Sequence, residues 1–275
     1  MHRPFPTRVL IPLLLLTTTA ALAQQTSTSG STAQAPASTH TSSLDRLFIN
    51  FVEDAMIVDQ QRWEGWFQYD DSEFIDYTAV YGQAAFQLFA NTELGGRVGF
   101  GKSDTDSGDL DGTGATDLDL WGKYYWNLGD RATEVSAGAL LTVPTGDDAA
   151  GLGTDAFALK GFVAARISLE AVVLTGTLGL QANESGRFLG SDDLDGETSF
   201  TAGAGIIVPW SDSFSIVGEL SWKTQRFEGF EDDGRVLGGI NLRLSDRGML
   251  RPAVSFGLED GAPDYQFIIG YAHSF

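Results

Sequence analysis

The sequence contains no cysteine and only three histidines in 275 residues. Without cysteine, the chain cannot form disulfide bonds, zinc–thiolate sites, iron–sulfur clusters or thiol nucleophiles. The histidines are His2, His40 and His273, and no spacing in the sequence places one of them with a serine and an acid as in a hydrolytic triad. We therefore predict that the protein is not an enzyme and has no cofactor, apart from the metal ions considered below.

Basic residues are also scarce, because 17 Lys and Arg stand against 37 Asp and Glu and give a formal net charge of −20. A nucleic-acid-binding protein needs a basic surface over the phosphates, so this charge balance argues against a nucleic-acid partner. Hydrophobic residues make up 43% of the chain, which is too large a fraction for a disordered protein.

Long apolar runs are absent except near the amino terminus. Arg3 and Arg8 precede an apolar stretch at 9–22, which ends in the small-x-small pattern Ala-Leu-Ala at 21–23. This order predicts a secretory signal peptide over residues 1–23. No later stretch approaches the roughly 18 apolar residues of a membrane-spanning helix. An exported chain without such a helix can span a membrane only as a closed β-barrel.

Two short segments precede the predicted barrel. Residues 24–43 are rich in Ser, Thr and Gln, and their composition predicts a disordered linker. Residues 44–61 show apolar side chains at three- and four-residue spacing, which predicts an amphipathic helix. These side chains are Leu44, Leu47, Phe48, Phe51, Val52, Ala55 and Met56. Such a helix could plug the barrel or lie on the periplasmic surface, and we expect the surface position.

From residue 62 onward the hydrophobic period changes from 3.6 to 2. Twelve candidate strands follow, at 62–69, 77–89, 92–103, 116–126, 132–145, 156–167, 170–183, 197–209, 213–227, 234–244, 249–259 and 264–275. Five short connections alternate with six longer ones, as in outer-membrane barrels with short periplasmic turns and longer outer loops. The predicted fold is therefore all-β, a twelve-stranded antiparallel transmembrane outer-membrane β-barrel over residues 62–275.

Each candidate strand has one apolar face and one face of small or charged residues. In a membrane barrel the apolar face contacts lipid and the polar face lines the lumen, whereas a soluble secreted β protein would bury the apolar face. The charged residues predicted to line the lumen are Glu64, Arg97, Asp119, Lys123, Glu134, Lys160, Arg166, Glu219, Lys223, Arg243, Arg251 and Glu259. They could fill a narrow lumen with ion pairs or form a constriction that selects solutes, and the sequence leaves both open.

Acidic residues concentrate in the predicted outer loops. One cluster contains Asp104, Asp106, Asp109 and Asp111. From position 109 the oxygen ligands alternate as in a calcium-binding loop, although the twelfth position is Leu120 rather than Glu. One hypothesis is that these carboxylates bind Ca²⁺ or Mg²⁺ and bridge the loops to lipopolysaccharide. We favour the alternative of a solvated acidic surface.

The last predicted strand is aromatic and includes Tyr271 and Phe275. This strand resembles the carboxy-terminal signal that the barrel-assembly machinery recognises in outer-membrane proteins. We therefore expect that machinery to be a partner of the chain.

Two further segments resemble a known family. Residues 114–120 read Gly-Ala-Thr-Asp-Leu-x-Leu and are followed by Lys123 and Tyr124, while residues 141–147 read Leu-Thr-Val-Pro-Thr-Gly-Asp. The motif residues are Asp117, Pro144, Thr145, Gly146 and Asp147. Together they resemble the outer-membrane proteins named after the meta-pathway of phenol degradation, over about residues 77–275. The resemblance implies a small outer-membrane barrel and uptake of aromatic or other apolar compounds.

These observations predict a barrel in the outer membrane of a Gram-negative bacterium, surrounded by lipid and lipopolysaccharide. We expect passive passage of small aromatic or hydrophobic solutes. The alternative is a structural or adhesive surface barrel whose acidic loops bind cations or lipopolysaccharide and whose lumen is closed.

Overall fold

The computed structural model describes residues 45–105, 111–128, 133–191 and 194–275. The predicted signal peptide and linker lie outside these residues. The described part contains thirteen strands: β1 (Gln61–Asp71), β2 (Ile75–Phe89), β3 (Thr92–Thr105), β4 (Gly112–Ala115), β5 (Leu118–Asn127), β6 (Thr133–Val143), β7 (Ala158–Ser168), β8 (Val173–Asn183), β9 (Thr198–Ser211), β10 (Phe214–Lys223), β11 (Asp233–Arg243), β12 (Gly248–Gly257) and β13 (Tyr265–Ser274).

The strands form one closed antiparallel barrel. Each strand pairs with its neighbour along the chain, and β1 closes the barrel by pairing with β13, with Phe67 opposite Ile269. Both β4 and β5 pair with β3 and are separated only by Thr116 and Asp117, so they are two parts of one barrel strand. The prediction of a twelve-stranded antiparallel barrel is therefore confirmed.

The barrel places charged side chains inside and apolar side chains outside. Lys123, Arg166 and Arg251 are at most 2% exposed on the inner face, whereas Phe100 is 61% and Leu180 62% exposed on the outer face. This arrangement is the inverse of a soluble β protein and fits a barrel whose outer surface meets hydrocarbon. The alternative of a soluble secreted protein with buried apolar faces is therefore wrong.

None of the described residues belongs to a helix that is long and apolar enough to cross a bilayer.

Residues 45–60 do not form the predicted surface helix. They form irregular turns inside the barrel, in the half that carries the short connections, and we call them the plug segment. Their apolar side chains contact different parts of the wall: Phe51 packs with Trp121 and Phe162, whereas Leu47 packs with Ile207. A helix would direct these side chains along one stripe, so contact with several walls requires a different backbone path. The sequence left open whether this segment plugs the barrel or lies on the periplasmic surface, and the structure shows it inside the barrel.

A glycine on β3 provides space for one of these contacts. A Cβ atom at Gly95 would lie 2.2 Å from the Trp121 ring, and Trp121 is buried inside the barrel. By contrast, a Cβ atom at Gly82 on the outer face of β2 would have no atom within 4 Å.

We therefore expect Gly95→Val to displace Trp121 and lower the free energy of unfolding by ~1–3 kcal/mol, the usual cost of overpacking. Gly82→Val is the matched control and should leave stability unchanged. Denaturant titration in lipid vesicles, followed by tryptophan fluorescence, measures both variants. Equal stability of the two variants would contradict the assigned packing.

Candidate functional site

The plug segment is held by a buried ion pair near its centre. Asp54 and Arg166 are fully buried, and Arg166 Nη1 lies 2.8 Å from Asp54 Oδ2. Arg166 Nη2 also donates to the carbonyl oxygen of Asp45 at 3.2 Å, and its Nε lies 3.7 Å from Glu134 Oε2. Burial alone would raise the pKa of Asp54, but Arg166, Arg46 and Lys123 outweigh burial and hold this pKa below its ordinary value. Asp54 is therefore anionic and bound to the wall.

Lys123 on β5 binds the backbone of the plug segment. Its Nζ donates to the carbonyl oxygens of Asp54 at 2.9 Å and Met56 at 2.6 Å. The same Nζ lies 3.3 Å from Glu93 Oε1 on β3, and Glu93 Oε2 accepts from the amide of Val58 at 2.8 Å. These contacts occupy carbonyl and amide groups that a helix would pair internally, which explains why the segment is not helical.

Glu219 and Arg251 bind the first part of the segment. The Glu219 carboxylate accepts from the amides of Phe48, Ile49 and Asn50, at 2.9 Å for Ile49. Arg251 Nη2 donates to the carbonyl oxygen of Arg46 at 2.7 Å. Arg251 also pairs with Glu64 and lies 4.3 Å from the centre of the Phe48 ring.

A cavity of about 640 Å³ lies between the plug segment and the long connections. Phe48 and Phe51 of the plug line it from one side, and residues 151–154 and Phe188 line it from the long connections. Trp66 and Tyr81 form part of its wall and stack with ring centroids 5.0 Å apart. The cavity thus combines aromatic surfaces with polar groups, as small-molecule sites generally do.

Three ion pairs line this cavity. Arg97 Nε donates to Asp119 Oδ2 at 3.1 Å, Lys160 pairs with Glu53 of the plug segment, and Arg235 bonds both oxygens of Asp233 at 2.6 Å.

The charges predicted to line the lumen divide into three groups in the structure. Glu64, Lys123, Glu134, Arg166, Glu219 and Arg251 belong to the network around the plug segment, and Arg243 Nη2 lies 3.9 Å from Asp45 in the same region. Arg97, Asp119, Lys160 and Lys223 line the cavity. Glu259 was expected to line the lumen, but β12 ends at Gly257 and Glu259 lies exposed in the next connection.

Several site residues were absent from the predicted set. Glu93 shares the inward phase of Arg97 on β3, so the same alternation could have identified it. Asp54 and Arg46 could not be found this way, because they precede the barrel and their burial depends on where the chain enters it.

The motif residues shape one long connection. Asp117 Oδ1 accepts from the amide of Gly146 at 3.0 Å, and Oδ2 accepts from the amide of Thr154 at 3.3 Å. A Cβ atom at Gly146 would lie 2.7 Å from Gly153, so the connection turns back closely on itself. Asp147 Oδ1 accepts from the amide of Ala150 at 3.2 Å. The connection between β6 and β7, which also contains Pro144 and Thr145, is thereby held against the cavity.

The acidic cluster is only partly described. Asp106 and Asp109 lie outside the described residues. Asp104 pairs with Lys102, and Asp111 Oδ1 accepts from the amide of Thr105 at 2.7 Å. Within the described ranges, no group of three or more His, Asp or Glu side chains is arranged to hold a metal ion. Calcium or magnesium binding stays a prediction.

Aromatic side chains cluster at the barrel seam on the short-connection side. Trp63 on β1 lies 5.5 Å from Tyr271 on β13, and His273 lies 4.9 Å from Phe275, both between ring centroids. Such rings are enriched where the outer surface meets the membrane interface.

Comparison with known proteins shows the fold. No protein-family model and no curated protein sequence matches the chain. A crystal structure of an outer membrane channel from Pseudomonas putida F1 is 17% identical, with a TM-score of 0.66 over 81% of this chain and 98% of that chain. The KdgM porin in complex with disordered oligogalacturonate is 10% identical, with a TM-score of 0.53 over 78% of this chain and 99% of that chain. The NanC porin is 9% identical, with a TM-score of 0.53 over 78% of this chain and 100% of that chain. The protein has the fold of the outer-membrane channels and porins of Gram-negative bacteria.

The ion pair between Asp54 and Arg166 is expected to hold the plug segment in place. Arg166→Ala leaves a buried carboxylate without its partner, a change that costs about 3–5 kcal/mol in proteins. We expect faster amide hydrogen exchange over residues 48–56. Lys102→Ala, which breaks the exposed pair with Asp104, is the control and should leave exchange unchanged. Unchanged exchange in Arg166→Ala would show that the pair does not hold the segment.

The contacts of Asp117 predict a local effect on the rim. Asp117→Ala removes the acceptor for two amides and should cost ~1–3 kcal/mol. Residues 146–154 should then exchange amide protons faster, while the connection at residues 258–264, between β12 and β13, serves as the internal reference. Unchanged amide exchange over residues 146–154 in Asp117→Ala would contradict this role.

Proposed function

We propose that the protein is a passive outer-membrane channel for small aromatic or hydrophobic solutes. The observation that carries this proposal is the cavity of about 640 Å³ whose floor is the plug segment, a separate stretch of chain inside a closed barrel. A barrel with only a structural role can fill its lumen with its own side chains. Here the inner half of the lumen is filled by residues 45–60, which noncovalent contacts hold in place.

The size and lining of the cavity support the solute class. Its volume lies within the range of ~300–1,000 Å³ typical of small-molecule sites. Trp66, Tyr77, Tyr81 and Phe188 offer aromatic surfaces in it. A solute would enter from the long-connection side, contact these rings, and pass inward when the plug segment shifts.

The resemblance to the family named after the meta-pathway of phenol degradation supports the same proposal. Asp117 and Gly146 of the shared motif hold the connection that borders the cavity. The similar structure from Pseudomonas putida F1 bears the description of an outer membrane channel. We extend that role to this chain, including its residence in the outer membrane.

The same geometry supports a role that is not enzymatic. The carboxylates of Asp54, Glu93 and Glu219 are occupied by the plug segment or by lysine and arginine side chains. His273 lies on β13 in the aromatic cluster at the seam, away from these acids.

Two partners belong to the proposal. The aromatic strand β13, which contains Tyr271 and is followed by Phe275, is a suitable signal for the barrel-assembly machinery. Lipopolysaccharide would surround the long connections, with Ca²⁺ or Mg²⁺ neutralising their carboxylates.

A disulfide lock tests whether passage requires movement of the plug segment. A Cβ atom at Gly203 on β9 would lie 3.2 Å from Asn50 Cγ, so Asn50→Cys with Gly203→Cys brings two sulfur atoms within bonding reach. The chain has no other cysteine, and the bond is therefore unambiguous. We expect oxidised protein in liposomes to lose uptake of phenyl glucoside, a neutral aromatic solute that lipid bilayers retain, and reduced protein to regain it.

The single variant Asn50→Cys is the control and should transport equally under both redox conditions. Uptake that is equal in locked and unlocked protein would contradict a route through the plug segment. Absence of any uptake or bilayer conductance in both states would favour the alternative, a structural or adhesive barrel with a closed lumen.

A further inference from the structure

Two cations in the cavity wall have no carboxylate partner within the part of the chain that the structure describes. Lys223 at the end of β10 and Arg226 in the following connection both line the cavity. Among the described residues, neither has a carboxylate oxygen within 4.0 Å, in contrast to Arg97, Lys160 and Arg235. Two cations without an ion pair stand out in a protein whose formal net charge is −20.

The sheet register explains why Lys223 is left without an ion pair. Lys223 lies directly opposite Asp233 on β11. However, Arg235 occupies that carboxylate, with Nε on Oδ1 and Nη2 on Oδ2, each at 2.6 Å. Asp233 therefore faces two cations but binds only Arg235, and this pair of strands keeps one excess positive charge.

Arg226 is held by neutral groups. Its Nε donates to Asn183 Oδ1 at 3.1 Å and its Nη2 donates to Thr154 Oγ1 at 3.2 Å. These bonds orient the guanidinium group without neutralising it.

Neither of the acids nearest to Arg226 forms an ion pair with it, although both act on its charge at longer range. Asp117 accepts from the amides of Gly146 and Thr154, and Asp119 accepts from Arg97 and from Thr142 Oγ1 at 2.7 Å. A third lining acid, Asp70, lies on β1, four strands from β10 around the barrel.

We infer that Lys223 and Arg226 form an anion-binding subsite of the cavity and that the solute is a small aromatic carboxylate rather than a neutral aromatic compound. This inference rests on the proposed function and refines its solute class. A carboxylate in the subsite would accept charge-assisted hydrogen bonds from both side chains. The ring of the same solute would lie against the aromatic part of the wall, which includes Trp66, Tyr81 and Phe188.

The inference is tested by calorimetric titration of the folded barrel in detergent micelles at 0.15 M salt, an ionic strength that screens distant surface charges with a Debye length of about 8 Å. The probes are benzoate, its neutral relative benzyl alcohol, and acetate, which has the carboxylate without the ring. We expect benzoate to bind most tightly. Lys223→Gln and Arg226→Gln should each weaken benzoate binding by about tenfold or more, the usual loss for one charged hydrogen bond.

Three controls accompany these variants. Lys223→Arg keeps the charge and should keep benzoate affinity. Lys102→Gln removes one exposed positive charge on β3 and should change nothing. Benzyl alcohol affinity should be the same in all variants, which also shows that they are folded.

Defined outcomes would overturn the inference. Equal affinity for benzoate and benzyl alcohol, or an equal loss in Lys102→Gln, would remove the anion subsite. Acetate binding as tight as benzoate binding would overturn the aromatic part. If benzoate binds through Lys223 while liposome uptake is absent, the subsite stands and the proposed channel function fails. If phenyl glucoside is taken up without charge-dependent benzoate binding, the channel stands and this inference fails.

Discussion

The structure depends on the mutual pairing of buried polar groups between the plug segment and the inner wall of the barrel. Arg166, Lys123 and Arg251 each have a carboxylate of the wall beside them, but without Asp54 and the carbonyl groups of the segment they would lose buried hydrogen-bond acceptors. The segment in turn would leave amides unpaired without Glu219. A buried charge or amide that loses its partner costs free energy, so the contacts stabilise the segment and the inner wall together. The mutual dependence defines which half of the lumen is filled.

Filling one half of the lumen creates the site in the other half. The plug segment ends the cavity on the short-connection side, and the motif centred on Asp117 folds the β6–β7 connection against it on the other. Because Glu53 of the segment pairs with Lys160 of the wall, the floor of the cavity and its charge pattern are coupled. Movement of the segment would therefore change both the size and the electrostatics of the solute site.

Most of the fold could be predicted from the sequence, but only part of the site. Strand positions were accurate because alternation over about ten residues is a strong signal; the predicted 92–103 is observed as Thr92–Thr105. The same alternation placed Lys123 and Arg251 on the inner face, yet it could not identify their partners. Those partners include backbone groups of a segment about 70 to 200 residues away, and a local sequence pattern carries no such information. The spacing of Leu47 and Phe51 predicted a helix, because an amphipathic helix and an irregular segment enclosed by the barrel wall can have the same sequence pattern.

By itself the sequence determined the number of strands, their antiparallel order and the segregation of apolar from charged side chains, because these properties follow from periodicity and connection length. Only the tertiary structure decided which face meets lipid, where residues 45–60 lie, and which cations remain unpaired. Closing the sheet brings charged side chains of distant strands into one interior, where several cations compete for each carboxylate. Lys223 and Asp233 face each other in the register, but the bidentate bond of Arg235 decides which cation the acid neutralises, and that choice is made in three dimensions.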